Sequence, residues 1–190
     1  MMKEVLVEVS ARHVHLSNDD LAFLFGEGYE LTHKKDLSQP DQYACEERVT
    51  LVGDKGELKN VIILGPTRKN TQIELSLTDA RSLGVKALVR ESGDIEGTFG
   101  CKIIGPKGEL TITKGVIAAK RHIHMTVSDA AEINVKNGDV IKLQLDTEDR
   151  SLVFDDVVVR VSDKFATAVH LDTDEANAAG FVKGNGTIIL

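Results

Sequence analysis

Residues 12–17 read Arg12-His13-Val14-His15-Leu16-Ser17, and residues 121–126 repeat the pattern as Arg121-His122-Ile123-His124-Met125-Thr126. An aspartate-containing helix start follows each copy, Asp19-Asp20-Leu21-Ala22 in the first case and Ser128-Asp129-Ala130-Ala131 in the second. Two copies of so specific a pattern are improbable by chance, and self-similarity of this kind indicates an internal repeat. The simplest account is a duplicated β unit in which each copy presents a pair of histidines.

Short β-branched runs, separated by turns rich in Gly, Asp, Asn and Lys, make up most of the remaining chain. Predicted strands lie at residues 5–9, 48–52, 60–64, 72–76, 85–90, 101–104, 109–113, 140–145, 157–161, 167–171 and 187–190. Helical stretches are short. Ser17 can cap a helix that runs to Phe25, with Asp20 in the capping-box position, and residues 78–83, 128–135 and 172–179 are similar. This pattern predicts a mainly β fold of β-barrels capped by short α-helices, and not a βαβ sandwich.

Composition limits the classes of function. The chain is 42% hydrophobic and 28% charged, which is ordinary for a globular protein. A net charge of −7 argues against a general nucleic-acid binder, although the basic pairs Lys34-Lys35, Arg68-Lys69 and Lys120-Arg121 either hold small anions or lie solvated at the surface. No apolar run approaches the ~20 residues of a membrane span and no signal peptide precedes the first strand-like run, so we expect a cytoplasmic protein without a membrane partner.

The histidine pairs are the candidates for chemistry. Positions i and i+2 of a strand project from the same face, so two imidazoles spaced in this way can converge on one metal ion. A single pair is equally well explained by cross-strand hydrogen bonding, but structure alone gives no reason to duplicate both histidines. The sequence therefore predicts metal binding at His13 with His15 and at His122 with His124.

Each pair needs further ligands. Glu74 is the candidate for the first pair, because it shares a strand face with Gln72 just after a turn, and His170 is the candidate for the second. The alternatives are an exposed strand carboxylate for Glu74 and a core histidine for His170. His33 lies in a segment predicted to be a loop, outside this scheme, and Cys45 and Cys101 are interpreted as buried small side chains.

Three protein ligands of mixed N and O type, with a fourth position open, are typical of a catalytic zinc site. Other familiar metal motifs fit poorly. The residues after His15 are Leu16-Ser17-Asn18-Asp19, whereas a metallo-β-lactamase would continue as H-x-H-x-D-H and a cupin would place a glutamate there. A helical H-E-x-x-H motif is absent from the sequence.

Several spaced motifs together resemble the PduL-type phosphate propanoyltransferases, a phosphotransacylase family related to propanediol-utilisation microcompartments. The resemblance runs essentially from end to end. The matching elements are Val9-Ser10-Ala11-Arg12-His13-Val14-His15-Leu16, Lys35-Asp36-Leu37-Ser38-Gln39-Pro40, Gly65-Pro66-Thr67-Arg68 through Glu74, Arg121-His122-Ile123-His124-Met125 and Asn137-Gly138-Asp139-Val140.

The resemblance implies two β-barrels with short capping helices, one built from residues 1–11 and 120–190 and the other from residues 12–119. It implies two Zn²⁺ ions per chain, the first held by His13, His15 and Glu74 and the second by His122, His124 and His170. It also implies that Arg68 binds phosphate and that coenzyme A contacts Ser10, Lys35, His170 and Asn177.

The implied reaction interconverts acyl-CoA and phosphate with acyl phosphate and CoA, the acyl group being acetyl or propanoyl. Zn²⁺ at the first centre would deprotonate the CoA thiol, whose pKa of ~8.5 makes it a poor nucleophile at neutral pH. The metal or Arg68 would stabilise the oxyanion. The family also leads us to expect a homodimer and a link to propanediol degradation. Because only a short stretch precedes Ser10, we expect a free cytoplasmic enzyme and not one encapsulated in a microcompartment.

Two other functions stay open on the residues alone. One is a dinuclear metallohydrolase that uses the same ligands with a bridging hydroxide, and the other is a metal-stabilised binding or sensor module with two structural sites. The Gly65-Pro66-Thr67-Arg68 turn beside Glu74 discriminates among them, because a structural site gives no role to a phosphate-binding arginine. Zinc is inferred from the ligand type and the resemblance, since imidazole also suits cobalt and iron.

Overall fold

The computed structural model describes residues 2–190 and has a mainly β architecture with short helices, which confirms the fold class predicted from the sequence. These residues form two compact units. Unit 1 comprises the stretch up to Ala11, Ser38–Pro40 and Lys120–Leu190, and unit 2 comprises Arg12–Leu37 and Asp41–Ala119. The domain boundaries implied by the resemblance stay a prediction. Within the described residues, no helix has the length and apolar character that crossing a membrane requires.

The strands, in chain order, are β1 (Met2–Ser10), β2 (His13–His15), β3 (His33–Asp36), β4 (Tyr43–Val52), β5 (Glu57–Gly65), β6 (Gln72–Glu74), β7 (Leu88–Arg90), β8 (Lys102–Ile104), β9 (Glu109–Thr111), β10 (Val116–Ala119), β11 (His122–Met125), β12 (Val140–Leu145), β13 (Leu152–Val161), β14 (Ala168–Asp172) and β15 (Gly184–Ile189). The helices are α1 (Asn18–Phe25), α2 (Leu77–Leu83), α3 (Val127–Glu132) and α4 (Thr173–Ala179).

Unit 1 contains a closed six-stranded barrel with the strand order β1-β14-β11-β13-β12-β15. Alternate residues of each strand point inward, and the inward faces are apolar: Val7, Ile123, Val159 and Ile188 are at most 2% exposed. Closure pairs β1 with β15 in antiparallel and with β14 in parallel orientation. Because Ile123 points into the barrel, His122 and His124 on either side of it point outward.

Unit 2 contains a nine-stranded sheet in which eight strands follow the order β7-β10-β6-β2-β5-β4-β8-β9 and β3 pairs with β4. The short strand β2 lies between β5 and β6, with His13 opposite Glu74 and Val14 opposite Ile73. Val14 and Ile73 are fully buried. A slip of one residue would expose both, so the core fixes the register that places the flanking histidines beside Glu74.

Each helix in the described part of the chain begins at a side-chain cap, namely Ser17, Ser76, Thr126 or Asp172, which accepts a hydrogen bond from the N–H three residues later. The helix predicted to start after Ser17 and to end at Phe25 is confirmed. Helices α2 and α4 end at Gly84 and Gly180, whose left-handed backbone favours glycine.

Some local predictions differ from the structure. The strand predicted at residues 85–90 begins only at Leu88, and β10 was not predicted. The segment that begins at Thr32 was predicted to be a loop, but strand β3 spans His33–Asp36. All of its side chains are exposed, so no alternation of apolar and polar residues marks it in the sequence. Backbone pairing with β4, with His33 opposite Cys45, defines the strand instead.

Candidate metal centres

The first centre brings His13, His15 and Glu74 together on the neighbouring strands β2 and β6. One ligand atom from each residue lies within 4.8 Å of the other two. The Nε2 atom of His13 is 3.4 Å from Oε2 of Glu74, and Nε2 of His15 is 3.8 Å from Oε1. Both histidines are almost fully buried. Two imidazoles and a carboxylate around one point form the donor set of a divalent cation site with an open position.

The protonation states of the first centre suit a cation. Burial lowers the pKa of His15 well below its ordinary value of 6.5, and the neighbouring His13 and Arg68 lower it further. Burial by itself would raise the pKa of Glu74, but the contacts with His13, His15 and Ser92 outweigh it and hold this pKa below 4.5. At neutral pH the Glu74 side chain is therefore a carboxylate and the His15 ring is neutral, and metal ligands must be deprotonated in this way.

His15 also has a buried nitrogen that is not satisfied. Nothing among residues 2–190 hydrogen-bonds to its Nδ1 atom. The Leu64 carbonyl faces the ring as a backbone acceptor and raises its pKa slightly against the effect of burial, but it does not form a hydrogen bond of normal geometry with Nδ1. A buried polar atom without a partner costs about 1–3 kcal/mol, and a bound ion or water would complete such a cluster.

Ser92 connects the first centre to Arg68. The Ser92 hydroxyl donates to Oε1 of Glu74 at 2.9 Å and accepts from Nη1 of Arg68 at 3.0 Å and from Nε2 of Gln72 at 2.8 Å. Gln72 also donates to Oε1 of Glu74 at 2.7 Å and accepts from the Gly93 N–H at 2.7 Å. The backbone N–H of Arg68 donates to the Leu16 carbonyl at 2.9 Å. The guanidinium is thus held beside the candidate ligand Glu74.

Ser92 was missed by sequence reasoning, and Gln72 was noticed only as a neighbour of Glu74 on the same strand face. Ser92 lies in a turn after β7, and no periodicity or motif distinguishes a single serine in such a turn. The signal for Gln72 was present, because residues i and i+2 of a strand share a face.

The second centre consists of His122 and His124 on β11 and His170 on β14, with His122 directly opposite His170. The ring centroids lie 4.7 Å apart for His122 and His124, 5.2 Å for His122 and His170, and 4.9 Å for His124 and His170. The Nδ1–H of His122 donates to the Lys120 carbonyl at 2.8 Å. Because a carbonyl can only accept, Nδ1 of this ring carries a proton, and in the neutral ring Nε2 is then the nitrogen with a lone pair that a cation could bind.

His124 is neutral in this environment. Burial lowers its pKa to about 2, with further lowering by His122 and His170. Its Nδ1 atom is buried and has no hydrogen-bond partner in the portion of the chain that the structure describes. Three imidazoles that converge in this way fit a divalent cation such as Zn²⁺.

His170 has two polar neighbours from elsewhere in unit 1. The Gln39 amide donates to the Ala166 carbonyl at 2.9 Å and accepts from the Ala166 N–H at 3.3 Å, and these contacts direct its Nε2 to within 3.5 Å of Nε2 of His170. On the other side of the ring, Oε2 of Glu8 is 3.7 Å from Nδ1, and the Ser38 hydroxyl donates to the same carboxylate oxygen. Sequence reasoning assigned no role to Glu8 or Gln39, although Gln39 belongs to a quoted motif.

The residues predicted to contact coenzyme A lie in separate elements. Ser10 is the last residue of β1, opposite Asp172, and Asn177 lies in α4. Lys35 is exposed on β3 in unit 2. Their contact with coenzyme A stays a prediction.

The remaining candidate ligands lie outside both centres. His33 is exposed and pairs with Asp36 through its Nε2 atom at 2.7 Å. The two cysteines are buried and unpaired, as predicted. Burial raises the pKa of Cys45 to about 11 and that of Cys101 to about 12, so both are protonated thiols at neutral pH.

Comparison with known proteins agrees with the family resemblance seen in the sequence motifs. A family model described as phosphate propanoyltransferase matches residues 6–182. Similar proteins that carry this name include one from Clostridioides difficile (55% identical, over 99% of this chain and 90% of that protein) and one from Thermotoga maritima (59%, over 98% and 89%). Another, from Listeria monocytogenes, is 54% identical over 97% of this chain and 87% of that protein.

Proposed function

The chain belongs to the phosphate propanoyltransferase family and is an acyltransferase, and from this premise we propose how its two centres act. An acyl group moves between CoA and phosphate. His13, His15 and Glu74 would hold a Zn²⁺ ion, which would supply a Lewis acid for the CoA thiol, and Arg68 binds the phosphate. A second Zn²⁺ is held by His122, His124 and His170.

The observation that carries this proposal is the Arg68–Ser92–Glu74 connection. A guanidinium is a planar fork of donors that suits a phosphate, which it can bind through two parallel hydrogen bonds. Here the backbone of Arg68 and the Ser92 hydroxyl hold that fork next to the carboxylate ligand. A metal centre with a purely structural role would not need an arginine in this place.

The reaction balances as a simple exchange at the acyl carbonyl. When acyl phosphate is consumed, a carbon–sulfur bond to CoA forms, the carbon–oxygen bond to phosphate breaks, and phosphate leaves with the electron pair. A bound Zn²⁺ supplies a Lewis acid that keeps the CoA sulfur as a thiolate at neutral pH. Arg68 orients the phosphate in both directions and offsets the charge that develops on it. The buried faces of His13 and His15 limit the access of water, which would otherwise hydrolyse the acyl phosphate.

The first test is CoA-dependent release of phosphate from acetyl phosphate and propanoyl phosphate, with and without a chelator. We expect release only with CoA present, and its loss on chelation. Release without CoA would favour the dinuclear hydrolase. No turnover by protein that carries its full complement of metal would favour the binding or sensor module.

The second test replaces the phosphate-binding residue. Arg68→Ala should reduce transfer at least a hundredfold, which corresponds to about 2.7 kcal/mol, while the metal content stays near two per chain. Arg81→Ala, on the exposed part of α2, is the matched control and should leave transfer unchanged. Loss of metal from Arg68→Ala would instead indicate a structural role for the arginine.

Several details rest on the resemblance. We propose contacts between coenzyme A and Ser10, Lys35, His170 and Asn177, a homodimer, a cytoplasmic location, and a link to propanediol degradation. An isothermal titration of CoA into the Asn177→Ala and Lys35→Ala variants tests the first of these.

A further inference from the structure

The ligands of the first centre lie in the middle of two segments that run antiparallel to each other, residues 12–20 and residues 71–79. Strands β2 and β6 are their central parts, and His13 lies opposite Glu74 there. Both segments continue beyond strands β2 and β6 at each end. The positions of the ligands relative to each other therefore depend on what joins the two segments beyond the short strands.

Side-chain contacts join the two segments at both ends. At one end, Nη1 of Arg12 pairs with Oδ1 of Asp79 at 2.6 Å. At the other end, the Thr71 hydroxyl accepts the Ser17 N–H at 2.9 Å and donates to Oδ2 of Asp20. Thr71 is only 6% exposed, so its hydrogen bonds are largely shielded from solvent.

The second centre has the same arrangement in residues 121–129 and 167–175. Arg121 pairs with Glu175 at 3.2 Å at one end. At the other end, the Thr167 hydroxyl accepts the Thr126 N–H at 3.1 Å and donates to Asp129. Each of these three contacts has its counterpart at the same spacing in the first centre, so the duplication extends well beyond the histidine motif.

Glu74 and His170, which are the third candidate ligands of the two centres, also occupy equivalent positions in the two copies. Glu74 comes three residues after Thr71, and His170 comes three residues after Thr167. At about 3.3 Å per residue in a strand, each hydroxyl anchors the backbone roughly 10 Å from the ligand that it precedes. Both anchors tie this backbone to the helix start directly after the histidine pair.

We propose that the hydrogen-bonded pairs Thr71–Asp20 and Thr167–Asp129, which we call the threonine clasps, are positioning elements that set the metal affinity of the centre each of them flanks. This inference rests on the proposed metal centres. Each clasp fixes the third ligand against the histidine pair before the metal arrives, so the ligands need little rearrangement on binding. Outer contacts that orient metal ligands are typically worth 10–100-fold in affinity. Because a clasp acts through three residues of backbone, we expect the lower end of this range.

The two clasps provide controls for each other. His122→Ala leaves only the first centre complete, and His13→Ala leaves only the second. We would measure the Zn²⁺ affinity of both variants by competition with a fluorescent chelator, and add Thr71→Val or Thr167→Val to each. In the His122→Ala protein, Thr71→Val should weaken Zn²⁺ binding about tenfold and Thr167→Val should leave it within twofold. In the His13→Ala protein, the effects should be exchanged.

A merely structural role predicts a different pattern. Both valine substitutions leave a backbone N–H without its acceptor, so both should lower the thermal unfolding temperature of the metal-free protein. If stability alone mattered, each valine variant would bind Zn²⁺ as tightly as its parent at temperatures well below its unfolding transition, where the protein is still fully folded. Thr71→Ser keeps the hydroxyl and should restore the affinity. Where a valine variant fails to fold, Asp20→Asn, which keeps the shape of the acceptor, gives a second measurement with an expected loss of about threefold.

The outcomes separate the clasps from the proposed function. A wild-type chain that binds no Zn²⁺ overturns the proposed centres and the clasps together. Zn²⁺ binding to the wild type that is equally tight in Thr71→Val overturns the clasps and leaves the centres in place. Equal weakening of both centres by either substitution also overturns the inference.

Discussion

Substitution of Ser92 by alanine tests whether Arg68 and the first centre act as one unit. Ser92 makes hydrogen bonds at 3.0 Å to Arg68, at 2.8 Å to Gln72 and at 2.9 Å to Glu74. Two of these partners are charged, and a hydrogen bond to a charged group contributes about 1.5–3 kcal/mol. The alanine variant removes all three contacts, and we expect it to keep the fold of the turn.

The expected loss corresponds to about one of these charged hydrogen bonds, not two. Gln72 continues to donate to Glu74 at 2.7 Å, so the carboxylate keeps a donor when the hydroxyl is removed. Arg68 loses the contact between its Nη1 atom and Ser92, although its backbone N–H still donates to Leu16. We therefore expect kcat/KM for phosphate to fall roughly 10- to 150-fold, which corresponds to about 1.5–3 kcal/mol.

The assay is acyl-CoA phosphorolysis at saturating acyl-CoA, with phosphate varied and released CoA measured with a thiol reagent. The loss should appear in KM for phosphate, while KM for acyl-CoA and the metal content stay close to wild type. Ser92→Thr keeps a hydroxyl and should recover most of the activity. Ser151→Ala, which removes the hydroxyl of an exposed loop serine, is the matched control. A Ser92→Ala enzyme within twofold of wild type would refute the coupling of Arg68 to Glu74 through this hydroxyl.

Two further predictions concern stability. Burial raises the pKa of Glu175 to about 7 from its ordinary value of 4.5, so between these values the folded chain binds more protons than the unfolded chain and its stability falls as pH rises. Glu175→Gln should therefore shrink the difference in Tm between pH 5 and pH 8, and an unchanged difference would contradict this account. Ile123 is fully buried in the barrel, so Ile123→Ala should cost about 2–5 kcal/mol in urea unfolding without changing the Zn²⁺ stoichiometry of the folded protein. A loss below about 1 kcal/mol would show that the site collapses around the missing atoms.

The histidine pairs were predictable from the sequence because their signal is local, whereas Glu74 and His170 were candidates on the residues alone and were assigned as ligands through the resemblance. Alternation along a strand puts His13 and His15 on one face, and the second copy of the motif makes a chance pattern improbable. The structure brings the predicted groups together. The same reasoning failed at β3, where an exposed polar strand lacks the alternation that a buried face imposes.

Residues around the ligands could not be predicted in this way. Ser92, Glu8 and Gln39 reach the centres from a turn, a neighbouring strand and a connecting segment, and their positions depend on tertiary packing that single polar residues do not encode. The threonine clasps are a different case. Thr71 and Thr167 stand at the same distance before their ligands, so aligning the two copies beyond the histidine motif would have revealed them.

The two centres have the same backbone arrangement but differ at the third candidate ligand. The residues around that ligand differ as well. In the first centre the carboxylate of Glu74 is itself a candidate ligand, and donors from Ser92 and Gln72 surround it. The second centre has three imidazoles, and the carboxylate of Glu8 lies 3.7 Å from Nδ1 of His170. A carboxylate behind a histidine ligand fixes the tautomer of the ring and strengthens it as a ligand. Each centre therefore has one carboxylate in contact with its imidazoles, placed in the first case among the ligands and in the second behind them. In both copies, the same contacts join the two segments at their ends. These contacts allow the third ligand to be Glu74 in one copy and His170 in the other while the remaining residues of each centre keep their arrangement.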